Sequence, residues 1–150
     1  MKLKQLLTAI EYRAEQVPDV DITDLVYDSR KAVPGCAFVC LRGANADGHK
    51  YAKTAAEKGA AVIIAEEIVE APVPVILTDN TRLALAYLSA EFFGHPAEQM
   101  HVIGITGTKG KTTTAFMMRS ILEAAGHKTG VIGTIGVLYG DTLVQTDNTT

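Results

Sequence analysis

The sequence predicts an α/β protein in two parts: a small N-terminal α/β domain over residues 1–97, and the beginning of a second α/β domain from residue 98. Three observations predict it. Short apolar, β-prone runs alternate with segments of helical period, the pattern of layered α/β folds. A polar joint, Gly94-His95-Pro96-Ala97-Glu98-Gln99, carries both strong breakers. After it an apolar run passes through glycines into a fresh helix.

The elements follow in order. Leu3, Leu6, Leu7 and Ile10 recur at helical spacing, so a short helix covers 3–10. Pro18 and the acidic stretch to Asp24 make a loop. Ile22 to Tyr27 reads as a strand ended by Asp28-Ser29-Arg30, and Val33-Pro34-Gly35 as a turn. Cys36 to Leu41 is a strand-length apolar run. Gly43 to Gly48 is a polar loop, with Asp47 capping a helix that runs to Lys58 and stops at Gly59. Ala61 to Ala65 and Val73 to Leu77 are strands. Thr81 to Phe93 is a helix with Leu85, Leu88 and Phe92 on one face. Beyond the joint, 101–106 reads as a strand and 111–125 as a helix, with Met118, Ile121, Leu122 and Ala125 facing inward. Lys128 to Gly133 is a further strand. Ile135 to Tyr139 and Thr142 to Gln145 flank Gly140-Asp141 as a hairpin.

Composition removes several function classes. The chain has 150 residues, is 47% hydrophobic and carries 14 basic against 17 acidic residues, a net charge of −3. That balance predicts no broad nucleic-acid face. No apolar run approaches the ~20 residues of a membrane helix, and no secretory signal opens the chain. The sequence therefore predicts a cytoplasmic protein without membrane insertion. Cys36 and Cys40 are read as two thiols buried in a core strand; spaced along one strand they are too far apart to bridge, and no second pair offers a zinc site. His49, His95, His101 and His127 show no ligand spacing, although His49 stands near the Gly43–Gly48 loop, where it caps, packs or touches a ligand.

The chemistry concentrates in Val102-Ile103-Gly104-Ile105-Thr106-Gly107-Thr108-Lys109-Gly110-Lys111-Thr112-Thr113-Thr114. Gly107 and Gly110 can turn backbone N–H groups inward as an anion nest. The helix that follows adds free N–H donors and the positive end of its dipole. Lys111 brings a full cation to the β- and γ-phosphates, and Thr112 a hydroxyl suited to Mg²⁺. The spacing departs from the general P-loop, which wants glycine at position 105, where isoleucine stands. The motif predicts binding of a nucleoside triphosphate with Mg²⁺. Such loops open sheet domains of roughly a hundred residues or more, so the second domain is expected to be cut short at Thr150.

This loop, with its extra threonines, is similar to that of the Mur ligase family, which includes the folylpolyglutamate synthases. Upstream, Asp28-Ser29-Arg30, Pro34-Gly35, Phe38-Val39, Leu41-Arg42-Gly43 and Asp47-Gly48-His49 resemble the N-terminal domain of the muramoyl-peptide ligases. Downstream, Asp147-Asn148-Thr149-Thr150 resembles the start of an Asn-Thr-Thr-Pro segment. Ser29, Thr108 and Thr149-Thr150 side with the branch that adds the third peptide residue. The branch that adds D-alanyl-D-alanine more often has Asp-Thr-Arg, Gly-Ser-Asn-Gly-Lys and an Asn-Asn pair. Lys109 stands where the family most often has asparagine. The resemblance spans the whole chain.

The resemblance implies an ATP-dependent ligase of peptidoglycan precursor synthesis, with a UDP-binding N-terminal domain and a P-loop-type central ATPase domain. A diamino acid, L-lysine or meso-diaminopimelate, is joined to the D-glutamate γ-carboxylate of UDP-N-acetylmuramoyl-L-alanyl-D-glutamate through an acyl phosphate. Gly107, Thr108, Lys109, Gly110, Lys111, Thr112 and Thr113 are implied in ATP binding, Lys111 and Thr112 in catalysis, and Thr112 in holding Mg²⁺. Tyr27, Ser29, Ala44, Asn45, Ala46, Asn148, Thr149 and Thr150 are implied in substrate binding. Residues 1–150 alone are expected to bind without turnover. Two alternatives stand beside this reading: the D-alanyl-D-alanine-adding ligase, and a nucleotide-binding module without ligase activity. The second lacks any guanine-reading Asn-Lys-x-Asp segment.

Overall fold

A computed structural model describes residues 1–43 and 46–145. The chain divides into two compact units, Met1–Met100 and His101–Thr150.

The first unit is built on four parallel strands: β1 (Leu25–Val26), β2 (Ala37–Val39), β3 (Val62–Ala65) and β4 (Val75–Leu77), in the order β1-β2-β3-β4. The registers set Leu25 beside Ala37, Ala37 beside Val62 and Ile63 beside Val75. A parallel sheet must be covered on both faces, which is why its strands are apolar throughout rather than alternating. Ala37, Val39, Val62, Ile64 and Ile76 face one core with Leu3, Leu6, Leu7, Ala84 and Leu88. Cys36, Phe38, Cys40, Ile63 and Ala65 face the other with Ala52 and Ala55. The first core is closed by α1 (Leu3–Leu6) and α3 (Thr81–Phe92), the second by α2 (Ala52–Glu57). No helix joins β3 to β4. The intervening loop packs Val69, Ala71 and Val73 against the second core in its place.

Local chemistry sets the boundaries. α1 is one α-turn continued by a 3₁₀ turn, Leu7–Ala9, shorter than the apolar spacing predicts. β1 is likewise confined to Leu25–Val26, because pairing with β2 begins at Ala37. Asp47 caps through its carboxylate, but it caps the 3₁₀ turn Gly48–Tyr51 that leads into α2. Gly59 ends that segment at φ +105°, where a Cβ would stand 2.9 Å from Pro34 Cα. Asn80 caps α3 by accepting from Leu83 N–H. Arg13 exchanges both backbone hydrogen bonds with Leu77, covering the outer edge of β4. Cys36 and Cys40 are buried and free, flanking β2 on one face. Burial pushes the Cys40 thiol up to about 12, so it stays a neutral core group.

The second unit holds α4 (Lys111–Ala124) and an antiparallel meander of β5 (Gly130–Gly133), β6 (Gly136–Tyr139) and β7 (Thr142–Val144). The Gly140-Asp141 pair joins β6 to β7, as its turn chemistry predicts. Two expectations fail here. Residues 101–106 form no strand: strands exist by pairing, and none of the described residues pairs with this run. The α4 face is also not buried. Met118 and Leu122 are half-buried, Ala125 is exposed, and Ile121 is 67% exposed.

The contrast gives a test. Leu88 is fully buried, so Leu88→Ala is expected to cost about 2–5 kcal/mol, whereas Ile121→Ala is expected to stay within about 0.5 kcal/mol. Urea unfolding of the two variants, followed by circular dichroism, measures both.

Candidate functional site

The strand order places one edge of the first unit in charge of its polar chemistry. All four strands run the same way, so the residues that leave their C-terminal ends emerge along one edge. These are Tyr27–Arg30 after β1, Leu41–Gly43 and Ala46-Asp47 after β2, Glu66-Glu67 after β3 and Thr78–Thr81 after β4.

After β1 the chain makes a 3₁₀ turn, Ser29–Lys31, capped by Asp28, whose carboxylate accepts from Arg30 N–H at 2.9 Å. The Arg30 guanidinium grips the same carboxylate in two-pronged fashion, Nε to Oδ1 at 3.0 Å and Nη2 to Oδ2 at 2.7 Å. Those contacts, the Arg30 side chain first, lower Asp28 from its ordinary 3.8 to about 2. Ser29 is half-buried, and its carbonyl accepts from Lys58 Nζ at 3.0 Å. Tyr27 is 47% exposed.

After β2 the loop closes on itself. Gly43 N–H donates to Ala46 O and Gly48 N–H to Leu41 O, each at 2.8 Å, and Arg42 bridges antiparallel to Asp47. Ala46 is exposed at one foot of this loop. Ala44 and Asn45 lie outside the described residues, as do Asn148, Thr149 and Thr150. Tyr27, Ser29 and Ala46 therefore share one edge, at the ends of adjacent strands.

A charged network that sequence reasoning missed underlies this edge. Arg42 Nη2 meets Glu67 at 2.9 Å, with Glu66 and Asp47 at 3.5 and 3.6 Å. Asp47 accepts from His49 N–H at 3.0 Å and stands 2.6 Å from its Nδ1. Glu66 accepts from both the N–H and the hydroxyl of Thr81 at 2.9 Å. These contacts hold Asp47, through His49 first, and Glu66, through the Thr81 N–H first, below the usual carboxylate range. Arg42 is raised, by Glu67 first. The available signal was Glu66-Glu67 directly after the wholly apolar Val62–Ala65: charges at the end of a buried parallel strand mark its polar edge. Asp47, His49 and Glu67 offer ligand atoms within 4.8 Å of one another. Asp47 and Glu67 hold the Arg42 guanidinium, and both ring nitrogens of His49 are already engaged.

In the second unit, Gly107–Thr113 form one continuous exposed loop and helix start. Gly107 has φ +150° and Gly110, the N-cap of α4, φ +79°; a side chain would be strained at both. No side chain caps α4, which leaves its first N–H groups as donors for an anion. Lys111 Nζ folds back to donate to Gly107 O at 2.6 Å, laying its cation across the loop. Thr112 Oγ1 lies 3.5 Å from Thr134 Oγ1. This cradle fits a triphosphate, and its hydroxyl pair fits a hard, oxygen-seeking cation.

The catalytic-domain model of the Mur ligase family matches residues 21–93, and the Mur ligase middle domain matches 105–150. The chain belongs to the Mur ligase family. Across its whole length it is 47% identical to a UDP-N-acetylmuramoyl-L-alanyl-D-glutamate–2,6-diaminopimelate ligase of Bacillus licheniformis and 41% identical to that of Clostridium botulinum. It spans 31% and 32% of their lengths. Among solved structures, MurF from Acinetobacter baumannii matches 81% of this chain and 27% of its own, at 36% identity and TM-score 0.67. MurF from Thermotoga maritima, solved in complex with ADP, matches 74% of this chain and 25% of its own, at 30% identity and TM-score 0.58.

The Asp28 geometry makes a pH prediction. Its folded value lies below its ordinary one, so the stabilisation is complete above about pH 4 and is lost as the pH falls through about 2. A carbon-detected NMR titration is expected to place the Asp28 midpoint near 2, and Arg30→Ala to move it back toward 3.8.

Proposed function

We propose that the whole protein is an ATP-dependent ligase of peptidoglycan precursor synthesis, working in the cytoplasm. It joins diaminopimelate to the D-glutamate γ-carboxylate of UDP-N-acetylmuramoyl-L-alanyl-D-glutamate. The observation that carries this reading is the 47% identity over the full chain to a ligase of that name. Solved structures of MurF, one of them a D-alanyl-D-alanyl ligase, match at 36% identity over 81% of the chain. Ser29, Thr108 and the Thr149-Thr150 pair also side with the branch that adds the third peptide residue.

In this reading residues 1–97 hold the UDP substrate and those from 98 begin the ATP-binding domain. Tyr27, Ser29, Ala44, Asn45 and Ala46 receive the uridine diphosphate. Small side chains and backbone N–H groups along a sheet's C-terminal edge suit a diphosphate. Asn148, Thr149 and Thr150 contact the sugar-peptide part. Gly107 to Thr113 hold ATP. Catalysis is mainly electrostatic: Lys111 offsets charge on the phosphoryl group as the γ-carboxylate attacks it, with ADP leaving. The amine then attacks the acyl phosphate, forming the amide and releasing phosphate. Mg²⁺, when bound beside Thr112, supplies further neutralisation of phosphate charge. Residues 1–150 bind but do not turn over.

Calorimetric titration of this chain tests the reading. Saturable binding of UDP-N-acetylmuramoyl-L-alanyl-D-glutamate is expected, tighter than that of UDP-N-acetylglucosamine and weaker in Ser29→Ala. A folded chain that binds neither would overturn the placement of the substrate on residues 1–97. At the other loop, Lys111→Ala is expected to weaken ATP binding about 10- to 100-fold, the range for a lost charge-assisted hydrogen bond. Unchanged ATP affinity would remove Lys111 from its role.

A further inference from the structure

We propose that His49 is a positioning residue for substrate binding, locking the two sides of the β2 loop at Arg42-Gly43 and Ala46-Asp47. The inference rests on the reading above, which gives that loop to the uridine diphosphate.

His49 is a buried polar side chain, 7% exposed, at the N-terminal turn before α2. Both ring nitrogens are committed. Glu66 N–H, at 3.0 Å, can only donate, so Nε2 accepts. The ring proton of the neutral imidazole therefore sits on Nδ1 and donates to Asp47 Oδ1 at 2.6 Å. The same carboxylate oxygen accepts from His49 N–H at 3.0 Å, which fixes Asp47 from two directions.

That fixes one foot of the loop. Asp47 bridges back to Arg42, which is the other foot, through the backbone and through the 3.6 Å contact with its guanidinium. The Arg42 carbonyl in turn accepts from Arg82 Nη2 at 3.1 Å, on α3. The closing bonds Gly43 N–H to Ala46 O and Gly48 N–H to Leu41 O flank the Arg42–Asp47 bridge on its two sides. On the far side, the Glu66 carboxylate is held by Thr81 at the start of α3. The imidazole thus ties the β2 loop to the end of β3 and, through Glu66, to α3. It is the one group among these that joins the loop foot to the β3 main chain with a buried, directional bond on each side. Arg42 reaches the same partners from the surface, where ion pairs set geometry weakly.

With Arg42-Gly43 and Ala46-Asp47 already held in one geometry, Ala46 meets a ligand without that part of the ordering cost. His49 then acts on affinity without touching the ligand.

The test uses His49→Leu and His49→Gln, the second able to place an amide oxygen toward Glu66 N–H. Hydrogen exchange at the Gly43 and Gly48 amides is read against the core amides of Ile63 and Ile64. Affinity for UDP-N-acetylmuramoyl-L-alanyl-D-glutamate is read by calorimetry. In His49→Leu the two loop amides are expected to exchange about tenfold faster with the core amides unchanged, and the affinity to fall about tenfold, the scale of one lost buried hydrogen bond. His49→Gln is expected to recover part of both. Loop exchange at the wild-type rate would overturn the proposal. So would faster loop exchange with unchanged affinity, or core amides accelerating as much as the loop, which would make His49 a packing residue. If the wild-type chain binds no UDP substrate while His49→Leu still frees the loop amides, the ligand assignment falls and the lock stands.

Discussion

Parallel pairing of four short strands is the constraint from which the first unit follows. A parallel sheet needs cover on both faces, and the second cover beneath β3 and β4 is a loop rather than a helix. Burying a Leu, Ile, Val or Phe side chain is worth about 1.5–3 kcal/mol, while an exposed ion pair contributes about 0–1 kcal/mol. The two apolar faces therefore hold the unit together, and the charges do something else. With both faces closed, polar groups can leave the sheet only at its edges. Because the strands are parallel, the four segments that follow them leave at the same edge.

The charges at that edge fix local geometry. Asp28 is a cap, a partner for Arg30 and the hinge of the Ser29 turn at once. Arg42 is the cation of a cluster that would otherwise set Asp47, Glu66 and Glu67 against one another. Among the described residues no buried side-chain polar atom lacks a partner, which is what an apolar sheet with a polar rim requires. The second unit shapes its glycine-rich loop by another route. Its loop uses backbone rather than side chains: two glycines at positive φ and a helix start left uncapped.

Legibility in the sequence followed the range of the interaction. Caps and stops were readable because they are settled within a few residues: Asp47 before Gly48, Gly59 after α2, Gly140-Asp141 between two strands. The glycine-rich turn into α4 was readable for the same reason, since Gly107, Gly110 and Lys111 shape it within a few residues. The strands of the first unit were readable as apolar runs, although β1 is shorter than its run because pairing with β2, not propensity, sets its length. The Arg42–Asp47–His49–Glu66–Thr81 network was not readable. It joins residues up to 39 positions apart through contacts that the β2–β3 and β3–β4 registers create.

The two failed expectations in the second unit obey the same rule from the other side. Val102 and Ile103 have the composition of a buried strand, yet they are 72% and 54% exposed. Ile121 has helical spacing and the same fate. Composition and period state what a segment can become; pairing partners decide whether it does. Among the described residues of the second unit, β5, β6 and β7 pair only with one another, and residues 101–106 pair with none of them. The loop that follows keeps its nest and its lysine contact regardless, since Lys111 reaches Gly107 O without help from a sheet. The Gly107–Thr113 loop is thus a local device, while the polar edge of the first unit depends on tertiary pairing throughout.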